Sequence, residues 1–177
     1  MLLATYKSIR PGLQGIGNRL IQLRLDSIYS HSELIFEPSD GVDHLMPNFT
    51  TSPNEKNEFW AASSIFAEKL PPWSKNRPNE NGGVRFKPIN PHNGNWDCIK
   101  LGISREERIK AAEWFIKNEG MPYDYQLIAH YSLWLLPSGE DNSYMCSESI
   151  AEALGIKDSF RYDPATLHHT LEYHSRC

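Results

Sequence analysis

Residues 143–155 have the sequence SYMCSESIAEALG, which predicts a helix over 143–154 with a cysteine in its first turn. Gly155 is typical of the position just beyond a helix C-terminus, because glycine adopts the left-handed backbone at little cost. Helical spacing places Cys146 on one face with Ile150 and Leu154. This face must pack against another layer of the fold, and we expect that layer to be a β-sheet.

The position of Cys146 allows two interpretations. A helix N-terminus carries partial positive charge and unpaired N–H groups, which stabilise a thiolate and can hold an oxyanion. A cysteine is also a small apolar side chain that packs well in a core. Both interpretations stay open for this residue taken alone.

Residues 30–36, SHSELIF, predict a β-strand in which alternate side chains share a face. His31 and Glu33 therefore lie on the same side. A carboxylate beside an imidazole fixes its tautomer, which is the arrangement that a base needs in order to activate a nucleophile. The alternative is a half-exposed strand whose polar side chains face water. Together with the helix-start cysteine, the pattern predicts that His31 lies near Cys146.

The remaining segments complete an α+β pattern. Long loops are expected at 37–56 and 69–83, where proline and glycine are frequent, and they are long enough to cover a cleft. Ser104 and Glu107 form the capping-box pattern at one helix start. We expect one domain over residues 1–177. The predicted strands are 58–63, 83–88 and 96–101, and the predicted helices are 16–25, 104–118, 124–136 and 164–173.

Composition restricts the function further. The chain has 177 residues, of which 40% are hydrophobic, and a net charge of −4, so it lacks the basic excess of a nucleic-acid-binding protein. No glycine-rich nucleotide loop is present, and no cofactor is expected. The first residues form too short an apolar run for a signal peptide, and no stretch is long enough for a membrane span.

The cysteines and the C-terminal histidines could have other roles. Cys98, Cys146 and Cys177 are far apart and form no pairing motif, so we expect a reducing compartment, the cytoplasm. A metal site at the C-terminus would have ligands of the right type, but their spacing matches no zinc pattern, and we expect no metal. The candidate ligands are His168, His169, His174 and Cys177.

Two of these segments carry a family resemblance. Residues 30–36 and the block from Tyr144 to Gly155 resemble the permuted branch of the NlpC/P60 superfamily of papain-like cysteine hydrolases, in its YiiX/YebB-like group. In that branch the histidine strand precedes the cysteine helix, as it does here. Shorter similarities to a bacterial and phage subset lie at residues 15–21, 63–64, 82–85, 96–97 and 123–124. The resemblance implies a papain-like fold in which an antiparallel sheet packs against the cysteine helix.

The resemblance also implies roles for individual residues. Cys146 would be the nucleophile and His31 the base. A third polar residue orients the histidine in this superfamily, and Glu33 is our choice because strand alternation places it beside His31. Ser63 and Ser64 are the alternatives if the orienting group comes from the neighbouring strand. Ser147 and Glu148 lie in the same helical turn as Cys146 and, with Tyr123, are expected to support the site.

The expected function is that of a thiol hydrolase that cleaves an amide or ester bond of an acyl, peptide or lipid-like substrate. Two alternatives remain on the same scaffold. One is an acyltransferase or lipid-acyl enzyme, and the other is a non-catalytic binding or virion-associated module. If a phage encodes the protein, the expected compartment is the host cytoplasm.

Overall fold

The computed structural model describes residues 1–9, 13–47, 59–126 and 143–175. These residues form an α+β structure, as predicted. The elements in chain order are β1 (Leu2–Tyr6), α1 (Leu13–Leu25), β2 (His31–Phe36), β3 (Phe59–Lys69), β4 (Asn81–Ile89), β5 (Trp96–Lys100), α2 (Arg105–Lys117), α3 (Cys146–Ala153) and α4 (Pro164–Ser175). Short 3₁₀ turns lie at Pro38–Asp40, Asp43–Leu45 and Ser159–Arg161.

The five strands form one antiparallel sheet in the order β4-β3-β2-β1-β5. β2 is the central strand, and every residue in it is buried. This overturns the alternative of a half-exposed strand with polar side chains facing water. The two faces alternate as expected, since Leu34 packs in the larger core while Ile35 packs in a small cluster on the opposite face.

The larger core joins the sheet to α2, α3 and α4. Phe115 of α2, Ile150 of α3 and Leu167 of α4 have no exposed surface and pack in the same cluster as Leu34. The apolar face of the cysteine helix therefore packs against a sheet, as its spacing predicted. None of the helices formed by the described residues combines the length and apolar character needed to cross a bilayer.

Strand β1 was missed by the sequence analysis. It lies between β2 and β5 and pairs with both. Its residues Leu2, Leu3 and Ala4 are buried toward both faces, so the segment shows no alternation of apolar and polar side chains. A short continuous apolar run does not by itself indicate a strand.

The helix bounds differ from the predictions by up to three residues. α1 begins at Leu13, three residues earlier than predicted, and α4 ends at Ser175, two residues later than predicted. The cysteine helix begins at Cys146, three residues later than expected, because Tyr144 forms a parallel bridge with Tyr123 and keeps an extended backbone. Most of the predicted helix 124–136 lies outside the described residues. Within the part that is described, Tyr125 and Gln126 are helical. The capping box at Ser104 is confirmed, with reciprocal hydrogen bonds to Glu107.

Candidate active site

His31 lies between a carboxylate and a thiol. It is the first residue of β2, and its Nε2 is 2.9 Å from Oε1 of Glu33. The imidazole also interacts electrostatically with Cys146, and this interaction raises the pKa of His31. The exposed fraction is 8% for His31, 4% for Cys146 and 1% for Glu33. The structure therefore brings together the three residues singled out from the sequence, in a nearly buried place.

Glu33 is held in turn by Arg85 of β4. The two terminal guanidinium nitrogens of Arg85, Nη1 and Nη2, donate hydrogen bonds to the two carboxylate oxygens of Glu33 over 2.7 and 2.5 Å. Both side chains are 1% exposed. Burial alone would raise the pKa of Glu33, but the charge of Arg85 and the hydrogen bond from His31 outweigh it and hold this pKa far below its usual range. Glu33 is therefore an ionised carboxylate at neutral pH.

The charge of Glu33 determines the tautomer of His31. An ionised carboxylate only accepts hydrogen bonds, so Nε2 of His31 keeps its proton and donates a hydrogen bond to Glu33. In the neutral imidazole, Nδ1 is then unprotonated and is the nitrogen left for the thiol of Cys146. This is the tautomer in which a histidine can accept a proton from a nucleophile.

The pKa of His31 is raised despite its burial. Desolvation lowers this pKa, but the interactions of the imidazole with Cys146, and then with Glu33, together outweigh desolvation. The imidazolium form of His31 is therefore stabilised by its interactions with Cys146 and Glu33.

Cys146 is the first residue of α3, where N–H groups have no partner within the helix. Glu148 accepts a hydrogen bond from the backbone N–H of Met145 at 3.0 Å and so stabilises the helix start. Burial raises the pKa of Glu148 to about 7. Ser149 Oγ donates to the Cys146 carbonyl at 2.8 Å and accepts from the N–H of Ser64 at 3.2 Å, which fixes the helix start to β3.

Tyr123 packs beside the thiol. It is 4% exposed and forms a small buried cluster with Met145 and Cys146. Burial, followed by the negative charge of Cys146, raises the pKa of Tyr123 well above its usual value, so the phenol keeps its proton. The segment from Met121 to Tyr123 lies close against β4: a Cβ atom at Gly83 would be only 2.4 Å from the carbonyl oxygen of Met121. Tyr123 can therefore offer a hydroxyl donor near the sulfur.

The serines named as possible site residues have different surroundings. Ser63 Oγ donates to the Ser32 carbonyl at 2.7 Å, so its hydroxyl is engaged with the backbone of β2. The hydroxyls of Ser64 and Ser147 are buried and have no hydrogen-bond partner within the described part of the chain. The polar group that contacts the His31 ring through Nε2 is Glu33.

Arg85 was not predicted from the sequence to belong to this site. Residues 82–85 carried only a part of the family resemblance. One signal was available, since Arg85 is a charged residue between Val84 and Phe86 in a predicted strand. A charge in that position needs a buried partner, but the sequence does not say which acid supplies it.

The C-terminal histidines have other contacts. His168 is buried between Thr5 Oγ1, 3.0 Å from its Nδ1, and the hydroxyl of Tyr29, 3.1 Å from its Nε2. Burial lowers the pKa of His168. No group of three metal-binding side chains is found among residues 1–9, 13–47, 59–126 and 143–175, and Cys177 lies outside them.

No protein-family model matches the chain. A search of curated proteins found no significant sequence match.

Proposed function

We propose that this protein is a thiol hydrolase that cleaves an amide or ester bond, with Cys146 as nucleophile, His31 as base and Glu33 as the orienting carboxylate. One observation carries the proposal: the His31 imidazole is hydrogen-bonded to Glu33 and also interacts with Cys146 at the start of α3. A nucleophile, a base and a group that orients the base are the minimum set for covalent acyl transfer.

The fold supports a permuted papain-like arrangement, which we propose on the same grounds. The histidine strand precedes the cysteine helix along the chain, and the helix packs on an antiparallel sheet. Because Cys98 and Cys146 are both free thiols, we propose a reducing compartment, the cytoplasm.

The reaction follows from the contacts of the three side chains. The sulfur of Cys146 forms a bond to the acyl carbon, and His31 holds the proton that the thiol has given up. The proton passes to the leaving amine or alcohol as its bond to the acyl carbon breaks, and a thioester remains on Cys146. Water then attacks the thioester while His31 accepts a proton, and the acid and the free thiol are released.

The oxyanion formed at each step needs donors near the sulfur. The first-turn N–H groups of Cys146 and Ser147 have no partner within the helix and lie beside the nucleophile. The protonated hydroxyl of Tyr123 is a further candidate, since this residue packs against Cys146. The substrate would be an acyl, peptide or lipid-like molecule.

The test uses a small acyl donor, because the substrate is unidentified and the thiol is only 4% exposed. In a Cys98→Ser/Cys177→Ser background, p-nitrophenyl acetate should release p-nitrophenol and transiently acetylate Cys146, as detected by intact-mass and peptide mass spectrometry. The reaction should depend on His31, with a loss of about a hundredfold in His31→Ala, because general-base catalysis contributes at least that much.

The matched control is the other described cysteine. A protein that keeps Cys98 and carries Cys146→Ala should not turn over the ester, because burial and then the charge of Asp97 raise the pKa of the Cys98 thiol. Failure of Cys146 to react with either the ester or iodoacetamide would exclude the enzyme and leave the non-catalytic binding module. Products formed with an added amine acceptor, in place of acetate, would identify an acyltransferase.

A further inference from the structure

Glu33 receives its cation from two strands away. In the sheet order β4-β3-β2, strand β3 lies between Arg85 and Glu33. Neighbouring strands are about 4.8 Å apart, so the two side chains must extend across β3 over roughly 10 Å to meet. They meet as a two-point pair with both carboxylate oxygens engaged.

Ser63 of β3 makes this crossing possible. It is paired directly with Arg85, and the antiparallel register that joins Leu34 to Ala62 places it beside Glu33. Its side chain is small and its hydroxyl turns to the Ser32 carbonyl. A large side chain here would occupy the path of the guanidinium.

The geometry of the pair requires arginine. A guanidinium presents parallel N–H donors that hold a carboxylate in one plane, whereas an ammonium is a point charge that leaves the carboxylate free to rotate. The third donor position, Nε of Arg85, is buried without a partner in the described part of the chain. The side chain thus gives up one hydrogen bond while keeping both bonds to Glu33.

We propose that Arg85 is a positioning residue that acts through Glu33: its two parallel terminal N–H donors hold the carboxylate so that Oε1 faces Nε2 of His31. The inference rests on the proposed function, since it concerns the same site. It makes a separate claim, namely that the orientation of the Glu33 carboxylate, beyond its charge, is needed to keep His31 coupled to Cys146.

The test is a double-mutant cycle with Arg85→Lys, Glu33→Gln and the double variant, in the Cys98→Ser/Cys177→Ser background. Arg85→Lys keeps the positive charge but removes the pair of parallel N–H donors. The readouts are the rate of iodoacetamide alkylation of Cys146 at neutral pH and the titration of His31 followed by NMR. In Arg85→Lys we expect alkylation to slow by about tenfold and the pKa of His31 to fall, since small misplacements of catalytic groups have effects of this size or larger.

The cycle separates positioning from a general structural role. If Arg85 acts through Glu33, Arg85→Lys should have almost no further effect once Glu33 is Gln, because the interaction is already lost. Additive effects on both readouts would overturn the inference. Lys87→Met is the matched control, because Lys87 is a cation two residues further along β4 that pairs with Glu68 and not with Glu33. It should leave alkylation and the His31 titration unchanged.

The outcomes also separate this inference from the proposed function. If wild-type Cys146 reacts rapidly and Arg85→Lys reacts equally fast with an unchanged His31 titration, the inference fails and the proposed function stands. If wild-type Cys146 is unreactive, the proposed function fails, and the NMR titration still decides whether Arg85 controls His31. Each variant is compared only where its melting curve shows it folded at the assay temperature.

Discussion

Removing Arg85 should expose the energetic cost of burying Glu33. In Arg85→Met the carboxylate keeps its buried position, with 1% exposure, but loses the cation that neutralises it. Breaking a buried ion pair by removing one partner costs about 3–5 kcal/mol. The charge-neutral double variant Glu33→Gln/Arg85→Met should recover most of this loss, because it leaves no buried charge unpaired.

The size of the effect should depend on pH. Without Arg85, the buried Glu33 carboxyl can become neutral by taking up a proton. Protonating at pH 7 a carboxyl whose usual pKa is 4.5 costs about 3 kcal/mol, at about 1.36 kcal/mol for each pH unit. The variant's folded state binds that proton more tightly than its unfolded state, so its stability should increase as the pH falls from 7 to 5. In the wild type the pKa of Glu33 is lowered, so the stability from this group is present above pH 4.5 and lost only at lower pH.

Urea denaturation at pH 5, 6 and 7 measures both predictions. Relative to wild type, Arg85→Met should lose about 3 kcal/mol of unfolding free energy at pH 7 and clearly less at pH 5. Lys87→Met controls for loss of a cation from β4, and its partly exposed ion pair should contribute about 1 kcal/mol or less. A loss below about 1 kcal/mol at pH 7, or a loss independent of pH, would refute the assignment of Arg85 as the cation on which Glu33 depends.

Four further changes test other parts of the structure. Cys146→Ala should abolish acetyl-enzyme formation and cost less than about 2 kcal/mol in urea denaturation, and a larger cost would instead indicate a packing role. Ser63→Leu should place a bulky side chain between Glu33 and Arg85, which should lower the unfolding free energy by about 1–3 kcal/mol and slow the alkylation of Cys146. Unchanged alkylation would contradict the inference that the Glu33–Arg85 pair extends over β3 beside Ser63. Glu148→Gln should be more favourable to the stability of the protein at pH 8 than at pH 5. The reason is that the raised pKa of about 7 makes the wild-type protein lose unfolding free energy as the Glu148 carboxyl ionises with rising pH. Equal effects of the substitution at both pH values would argue against burial as the cause of the raised pKa. Ser104→Ala should cost about 1 kcal/mol by thermal or urea unfolding through loss of the α2 cap, and no measurable change would mean that the capping box adds nothing.

Most elements could be predicted from local patterns. The alternation in 30–36 predicted that His31 and Glu33 share a face, and the two are hydrogen-bonded in the structure. The helix-end glycine at 155 and the capping box at Ser104 located helix boundaries correctly. These signals are local, because backbone periodicity and capping depend on residues only a few positions apart.

Other features had no local signal. Strand β1 was missed because burial on both faces removes the alternation that identifies a strand. The start of α3 was displaced because Tyr144 pairs with Tyr123, a contact between segments that are distant along the chain. In both cases tertiary contacts, and not local propensity, decided the outcome.

The sequence by itself determined that a cysteine lies near the start of a helix and that a histidine and a glutamate lie on one side of a strand, since both facts follow from patterns within a single element. Only the tertiary structure decided that the thiol meets the imidazole and that Arg85, 52 positions from Glu33, supplies its cation. The physical reason is that strand order and helix docking depend on burying the apolar faces of many elements at once. A pattern within one element specifies which way a side chain points but not which partner it will reach.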